Sequence, residues 1–247
     1  MKPKVICHIM GSVDGRVLVE RWSKPYGDTP MTDLLKTYSQ IGSQLGTDAW
    51  TFGKNTITEI FTEKFRSTQE CSSQSDTSRF KGQRLSHRIF ISIDPEADIK
   101  YTSNCLRGDN IIAVVGKYAS DEYLAFLRDM DISYAVVENI SNLADILEML
   151  NAEFGITYIS LQGGGVLNGG MLAQGMIDEL SYVMYPGIDG TGDSVSIFNY
   201  IGSSEGSPMA GQSIKLLSVE QKNGGIVWLR YKIQKNRFKF HHNIETV

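Results

Sequence analysis

Ile156, Thr157, Tyr158, Ile159, Ser160 and Leu161 run straight into Gln162, Gly163, Gly164 and Gly165, and after a helix-like stretch the chain reads Gly175, Met176, Ile177, Asp178, Glu179, Leu180. A short apolar run closed by glycines reads as a buried strand, and the helix begins where the glycines end. That junction brings bare backbone amides and the positive end of a helix dipole to one point, which suits a phosphate group. A purely structural use of the glycines, for a tight turn or close helix packing, fits the same residues.

Outward from this stretch, short apolar runs alternate with helical spacing. Strands are expected over 5–10, 49–52, 88–93, 111–115, 134–137 and 157–161, and helices over 32–45, 120–130 and 142–154. This is the rhythm of a parallel sheet covered by helices on both faces. The C-terminal part changes character: strands are expected over 180–185, 213–221 and 226–234, the last two joined by a hairpin turn at Lys222, Asn223, Gly224 and Gly225. The expected fold class is therefore α/β, a mostly parallel central sheet finished by antiparallel strands. Residues 62–84 are polar and rich in Ser, Thr and Gln, and read as a long surface excursion within a single domain of residues 1–247; residues 236–247 read as a loose tail.

The chain has 247 residues, 41% hydrophobic and 21% charged, with a formal net charge of −4. That balance gives no general attraction to nucleic acid or anionic lipid, so an anionic ligand has to be held by local groups. Cys7, Cys71 and Cys105 lie far apart with no paired spacing, and His8, His87, His241 and His242 show no metal-ligand pattern. No metal is expected, and His8, inside an apolar strand, reads as a satisfied interior residue. The first ten residues are too short and too soon followed by Asp14 and Arg16 for a signal peptide, so a cytoplasmic protein is expected.

Two further strand ends carry candidate chemistry. Gly53, Lys54, Asn55 and Thr56 combine a glycine, a cation and a hydroxyl before a short helix, a set that suits a phosphate but also makes an ordinary surface loop. Ser12, Val13, Asp14, Gly15 and Arg16 place a carboxylate at the end of the first strand, where open α/β sheets bind ligands. Asp14 there either orients a polar heterocycle or relays a proton, or caps its own turn. The glycines do not make a dinucleotide fingerprint, because the sixth position of a GxGxxG begun at Gly163 is Asn168.

Together and in order, Ser12 to Arg16, Asp48 to Thr56, Gly163 to Gly165 with Leu167, Gly175 to Leu180 and Pro186 resemble the reductase domain of the riboflavin-biosynthesis deaminase-reductase family, the RibD C-terminal domain. The resemblance implies a dihydrofolate reductase-like three-layer fold and an NADPH-dependent homodimer. Its substrate would be 5-amino-6-(5-phosphoribosylamino)uracil or a diamino relative, whose ribose it reduces to a ribityl chain. It assigns cofactor contacts to Met10, Gly53, Lys54, Asn55, Thr56, Gly164, Gly165, Val166, Leu167 and Asn168, with Ser92 reaching the adenosine phosphate. Asp14 would orient the substrate or help supply the proton, and Gln162 with Gly163 would meet the substrate. Lys54 and Lys117 are the candidates for the phosphate that separates NADPH from NADH.

The chain departs from that family in three ways. The zinc-dependent deaminase half is absent, Gln162 stands where the family has Glu, and Ile57 to Phe61 replace an Asp, Asp, Pro string that helps seat substrate. Two alternatives follow: a diverged reductase of another heterocycle such as a pterin, and a non-catalytic nucleotide-binding protein.

Overall fold

The computed structural model describes residues 1–27, 29–66, 78–202 and 209–235; the expected tail over 236–247, with His241 and His242, and much of the excursion lie outside them. In chain order the elements are β1 (Lys4–Gly11), α1 (Met31–Gln44), β2 (Ala49–Thr51), α2 (Lys54–Ile60), β3 (Arg79–Phe80), β4 (Ile89–Asp94), β5 (Cys105–Leu106), β6 (Asp109–Gly116), α3 (Asp121–Asp129), β7 (Ser133–Val137), α4 (Leu143–Phe154), β8 (Tyr158–Leu161), α5 (Gly165–Ala173), β9 (Glu179–Met184), β10 (Gln212–Gln221) and β11 (Val227–Lys235). The strands are mostly parallel, with antiparallel strands at the C-terminal end of the chain, as the sequence predicts. The chain divides into two compact units, Met1–Lys4 with Ser43–Gly164, and Val5–Gly42 with Gly165–Val247.

In the first unit the strand order is β8, β2, β4, β6, β7, β3, with β5 hairpinned onto β6. The neighbours from β8 to β7 are parallel, so their C-terminal ends share one edge. The connecting helices have clear local causes. Ser120 Oγ accepts the Tyr123 amide to open α3, and acidic Asp121 and Glu122 stand at its positive end. Asn142 caps α4, which Gly155 ends at φ 68°. Trp50, Phe90, Tyr123, Leu127, Ile132 and Tyr134 form a core against α3 in which each large side chain contributes about 1.5–3 kcal/mol of burial.

The excursion is partly structured, which corrects the expectation of a surface loop throughout 62–84. Arg79 and Phe80 pair antiparallel with Ala135 and Tyr134, and Phe65 and Phe80 pack against the core. These isolated aromatics, set in a polar background, carry no periodic signal.

In the second unit the order is β10, β11, β9, β1; β1 and β9 are parallel, and β9, β11 and β10 are antiparallel. The hairpin turn has Gly224 and Gly225 at φ 72° and 79°, which only glycine adopts without strain. His8 on β1 is fully buried. Its Nδ1 meets Ser181 Oγ at 3.0 Å and its Nε2 meets the Tyr38 carbonyl at 3.2 Å, while its ring stacks on Tyr38. A carbonyl only accepts, so Nε2 carries the proton and Nδ1 accepts from Ser181, whose oxygen also receives the Trp228 indole N–H. His8 is thus the satisfied interior residue that the sequence predicts.

Candidate active site

In the first unit two of the expected turns meet. The Gly53 amide donates to the Gly163 carbonyl at 2.6 Å and the Gln162 amide donates to Thr51 O at 2.9 Å, one step beyond the parallel pairing of Thr51 with Leu161. Gly163 has φ +99°, and its peptide bond to Gly164 is cis. A Cβ built on Gly164 meets nothing within 4 Å. The edge where β2 and β8 end is therefore bare backbone beside open space, where α/β sheets bind their ligands. Gln162 stays half-buried, its Nε2 donating to Ser160 Oγ at 3.3 Å.

Lys54 opens α2, but its ammonium is not free for a phosphate. Nζ stands 3.1 Å from Asp94 and 2.9 Å from Asp98, and also bonds Glu96. Asp94 is fully buried, its other oxygen accepting Tyr123 Oη at 2.9 Å and the Ile99 amide at 3.1 Å. Burial alone would raise the Asp98 pKa; the Lys64 and Lys54 ammonium groups outweigh it and hold it below the ordinary value. Asp94, Glu96 and Asp98 are spaced as a metal site would be, and the Lys54 ammonium is the cation among them. Lys117, the other expected phosphate cation, pairs with Glu138 at 3.3 Å. Ser92 also needs correction: it is fully buried, and its Oγ accepts Tyr101 Oη at 2.7 Å, so it faces the core and not an adenosine phosphate. Asn55 is exposed and Thr56 half-buried at the start of α2.

In the second unit Gly165 and Gly169 of α5 serve packing. A Cβ on Gly165 would lie 2.0 Å from Ser196 O, and one on Gly169 would lie 2.6 Å from Tyr200 N. The Asn199 amide donates to Gly165 O at 2.8 Å, and fully buried Asn168 donates through Nδ2 to Ile197 O at 2.8 Å. Gly165 and Asn168 therefore hold the 195–200 segment against α5, a correction to their expected role toward a cofactor. Val166, 41% exposed, and half-buried Leu167 are the accessible side chains of its first turn, and Met10 is buried in β1.

Asp14 is exposed, yet both its oxygens are taken. Oδ1 accepts Ser12 Oγ at 2.6 Å and the Asp189 amide at 3.1 Å, and Oδ2 accepts the Gly190 amide at 2.9 Å. The Ser12 hydroxyl, then the Gly190 amide, bring its pKa down to about 2. At neutral pH it stands as an anion. One reading of the sequence has Asp14 capping its own turn; the backbone amides it accepts belong instead to the Asp189–Gly190 turn.

A model of the RibD C-terminal domain matches residues 66–228. The chain belongs to the RibD C-terminal domain family. This RibD-family chain is also similar to solved structures. One is a pyrimidine reductase-like protein of Corynebacterium diphtheriae, 17% identical with a TM-score of 0.62, covering 95% of this chain and 93% of that one. Acinetobacter baumannii RibD is 17% identical with a TM-score of 0.60, over 94% of this chain and 58% of that one. The riboflavin biosynthesis reductase of Saccharomyces cerevisiae is 14% identical with a TM-score of 0.54, over 94% and 90%. No curated protein matches the chain. The fold is thus that of the dihydrofolate reductase-like reductase domains of RibD, and the chain spans little over half of the full-length Acinetobacter protein.

Sequence reasoning on this RibD-family domain missed two groups. The 186–199 segment is fastened to the first-strand turn by Val17 N to Val195 O, Ile197 N to Gly15 O and Arg16 Nη1 to Ser194 O, and its Asp189 side chain is buried. The run Gly187, Ile188, Asp189, Gly190, Thr191, Gly192, Asp193 was its visible signal. The other group is Asp94, Glu96 and Asp98, acids at alternate positions beginning with the last residue of β4.

Proposed function

We propose that this chain is a pyrimidine reductase of the riboflavin-pathway type, moving a hydride from a reduced nicotinamide dinucleotide to the sugar carbon of a phosphoribosylaminopyrimidine. The observation that carries this reading is the bare backbone at Gly164, beside the Gly53–Gly163 hydrogen bond at the C-terminal ends of two parallel strands. When bound, the dihydronicotinamide supplies the hydride and its electron pair. The chain's own contribution is positioning. Gly53, Asn55, Thr56, Gly163 and Gly164 are the first unit's contacts toward the cofactor and substrate, with Gln162 offering an amide to the heterocycle. Opening of the ribose ring breaks its C1′–O4′ bond and moves a proton from the amine nitrogen to O4′, which leaves a C1′=N bond; the new C–H bond forms at C1′ as the π pair moves to nitrogen, which takes a proton from solvent. Asp14 stays an anion and holds the Asp189–Gly190 turn in place.

The resemblance implies NADPH as the dinucleotide, a choice that turns on the charges beside the strand ends, and a homodimer as the working form. Exposed Ile214, Leu216, Leu217 and Val219 on β10 support the latter. Among the described residues no helix is long and apolar enough to cross a membrane.

One observation favours a diverged substrate. Ile57 is fully buried and Phe61 nearly so, while Glu59 and Ile60 between them are exposed, so the two ends of the stretch that replaces the substrate-seating Asp, Asp, Pro string are given to the core. Mixing the purified chain with reduced dinucleotide and either the phosphoribosylaminopyrimidine or dihydrofolate separates the readings. Oxidation with the first supports the proposal, oxidation with dihydrofolate alone supports divergence, and binding without oxidation of either supports a non-catalytic protein.

A further inference from the structure

Two asparagines of the chain are followed by glycine, Asn168 and Asn223. In such a pair the glycine nitrogen has no side chain shielding it, which opens its approach to the asparagine side-chain amide. The fold puts the two pairs in opposite settings. Asn168 is fully buried within α5, its Nδ2 donating to Ile197 O at 2.8 Å, and Gly169 is walled by the backbone of Asn199 and Tyr200. A ring closing there has to break the helix, the Nδ2 bond and the packing together. Asn223 stands at the tip of the hairpin between β10 and β11, in the turn that the Lys222 amide closes on Ile226 O at 2.8 Å. It is exposed, and its side-chain amide makes no hydrogen bond among the described residues. Gly224, next to it, fits closely against its own unit: a Cβ there would lie 3.0 Å from Leu34 Cδ2 and 3.1 Å from Thr29 Cγ2. Leu34 is a buried residue of α1, so a change of backbone at this tip reaches the packing of that helix.

We propose that Asn223 is a self-modification site, converted without an enzyme to aspartate and isoaspartate, and that this conversion loosens the fit of the hairpin to α1. The Gly224 nitrogen attacks Asn223 Cγ. The new C–N bond closes a cyclic imide as the Cγ–Nδ2 bond breaks, and Nδ2 leaves as ammonia with the Gly224 amide proton. Water then opens the imide. Opening at Cγ leaves aspartate; opening at the main-chain carbonyl leaves isoaspartate, which carries the chain through its side chain and lengthens the backbone by a methylene. Either product adds a negative charge to the turn.

Mass-spectrometric peptide mapping of the purified full chain, stored in warm, mildly alkaline buffer either folded or in urea, tests this. Isoaspartate is counted by methyl transfer from a protein isoaspartyl methyltransferase. In the folded chain the Asn223 peptide is expected to become about 1 Da heavier and to accept methyl groups. Its rate should lie within about tenfold of the rate in urea, whereas the Asn168 peptide should be slowed by more than about a hundredfold. Asn223→Gln keeps an amide at the turn but needs a larger ring, so it should take up no mass there. Stored wild type is expected to melt below fresh protein, and stored Asn223→Gln to melt like fresh. An Asn223 as protected as Asn168 in the folded chain overturns the site, and a mass gain without methyl acceptance overturns the imide route. Equal falls in melting temperature for wild type and Asn223→Gln overturn the loosening of the hairpin.

Discussion

The ammonium of Lys54 stands 3.1 Å from the carboxylate of Asp94, which has no solvent exposure. The pair joins the start of α2 to the end of β4, and Asp94 passes the connection to Tyr123 on α3. Removing the cation leaves a buried anion with neutral donors only. Lys54→Met is therefore expected to lower stability by about 2–4 kcal/mol, read as a lower urea midpoint. A Lys54→Met protein as stable as wild type would show that the cage is a surface ion pair of little weight.

The glycines separate into two classes that substitution distinguishes. Gly165→Ala and Gly169→Ala drive a methyl group into the backbone of Ser196 and of Asn199 with Tyr200, and are expected to cost about 1–3 kcal/mol. Gly164→Ala meets no atom, so it should melt within a degree or two of wild type, yet weaken dinucleotide binding. Thermal melts and titrations on the same samples check both halves.

How much of this was legible in the sequence follows from range. The strands β1, β4, β6, β8 and β11 and the helices α3 and α4 are marked by apolar period, caps and glycines within a few residues. Partners of Lys54, Ser92 and Asn168 are not, because each is fixed by contacts that no local pattern encodes: Asp94 lies 40 positions from Lys54, and Ile197 lies 29 from Asn168. A lysine after a strand-end glycine has the same local signature whether its ammonium meets a ligand or a carboxylate. Three adjacent glycines likewise look alike, although Gly163 is needed for its positive φ, Gly165 for packing, and Gly164 for neither.

His8 makes the second unit sensitive to acid. Burial lowers its pKa to about 4 from an ordinary value of 6.5, against smaller opposing effects of the Tyr38 and Ser181 hydrogen bonds. The unfolded chain thus binds a proton between those values that the folded chain does not, and stability rises with pH through that window. The contribution is complete above pH 6.5 and is lost as pH falls toward 4, on the order of 3 kcal/mol in all. Urea midpoints at pH 7 and pH 4.5 should fall further for wild type than for His8→Gln, which cannot take up the proton; equal falls would contradict the assignment.

Asp14→Asn separates holding the turn from giving a proton. The carboxylate titrates near 2, so the variant is expected to keep the wild-type pH profile of kcat from pH 5.5 to 8. KM is expected to rise a few-fold as the Asp189–Gly190 turn loses an acceptor. A profile that loses its acid or alkaline limb would return Asp14 to proton transfer.

The most direct test of the central claim is single-turnover absorbance of the dihydronicotinamide, with the purified chain in excess over a phosphoribosylaminopyrimidine and a reduced dinucleotide present. Loss of the reduced band in step with substrate added, slowed in a Gly164→Val protein that melts like wild type, is the predicted result. A reduced band that persists whatever pyrimidine is supplied would contradict the account.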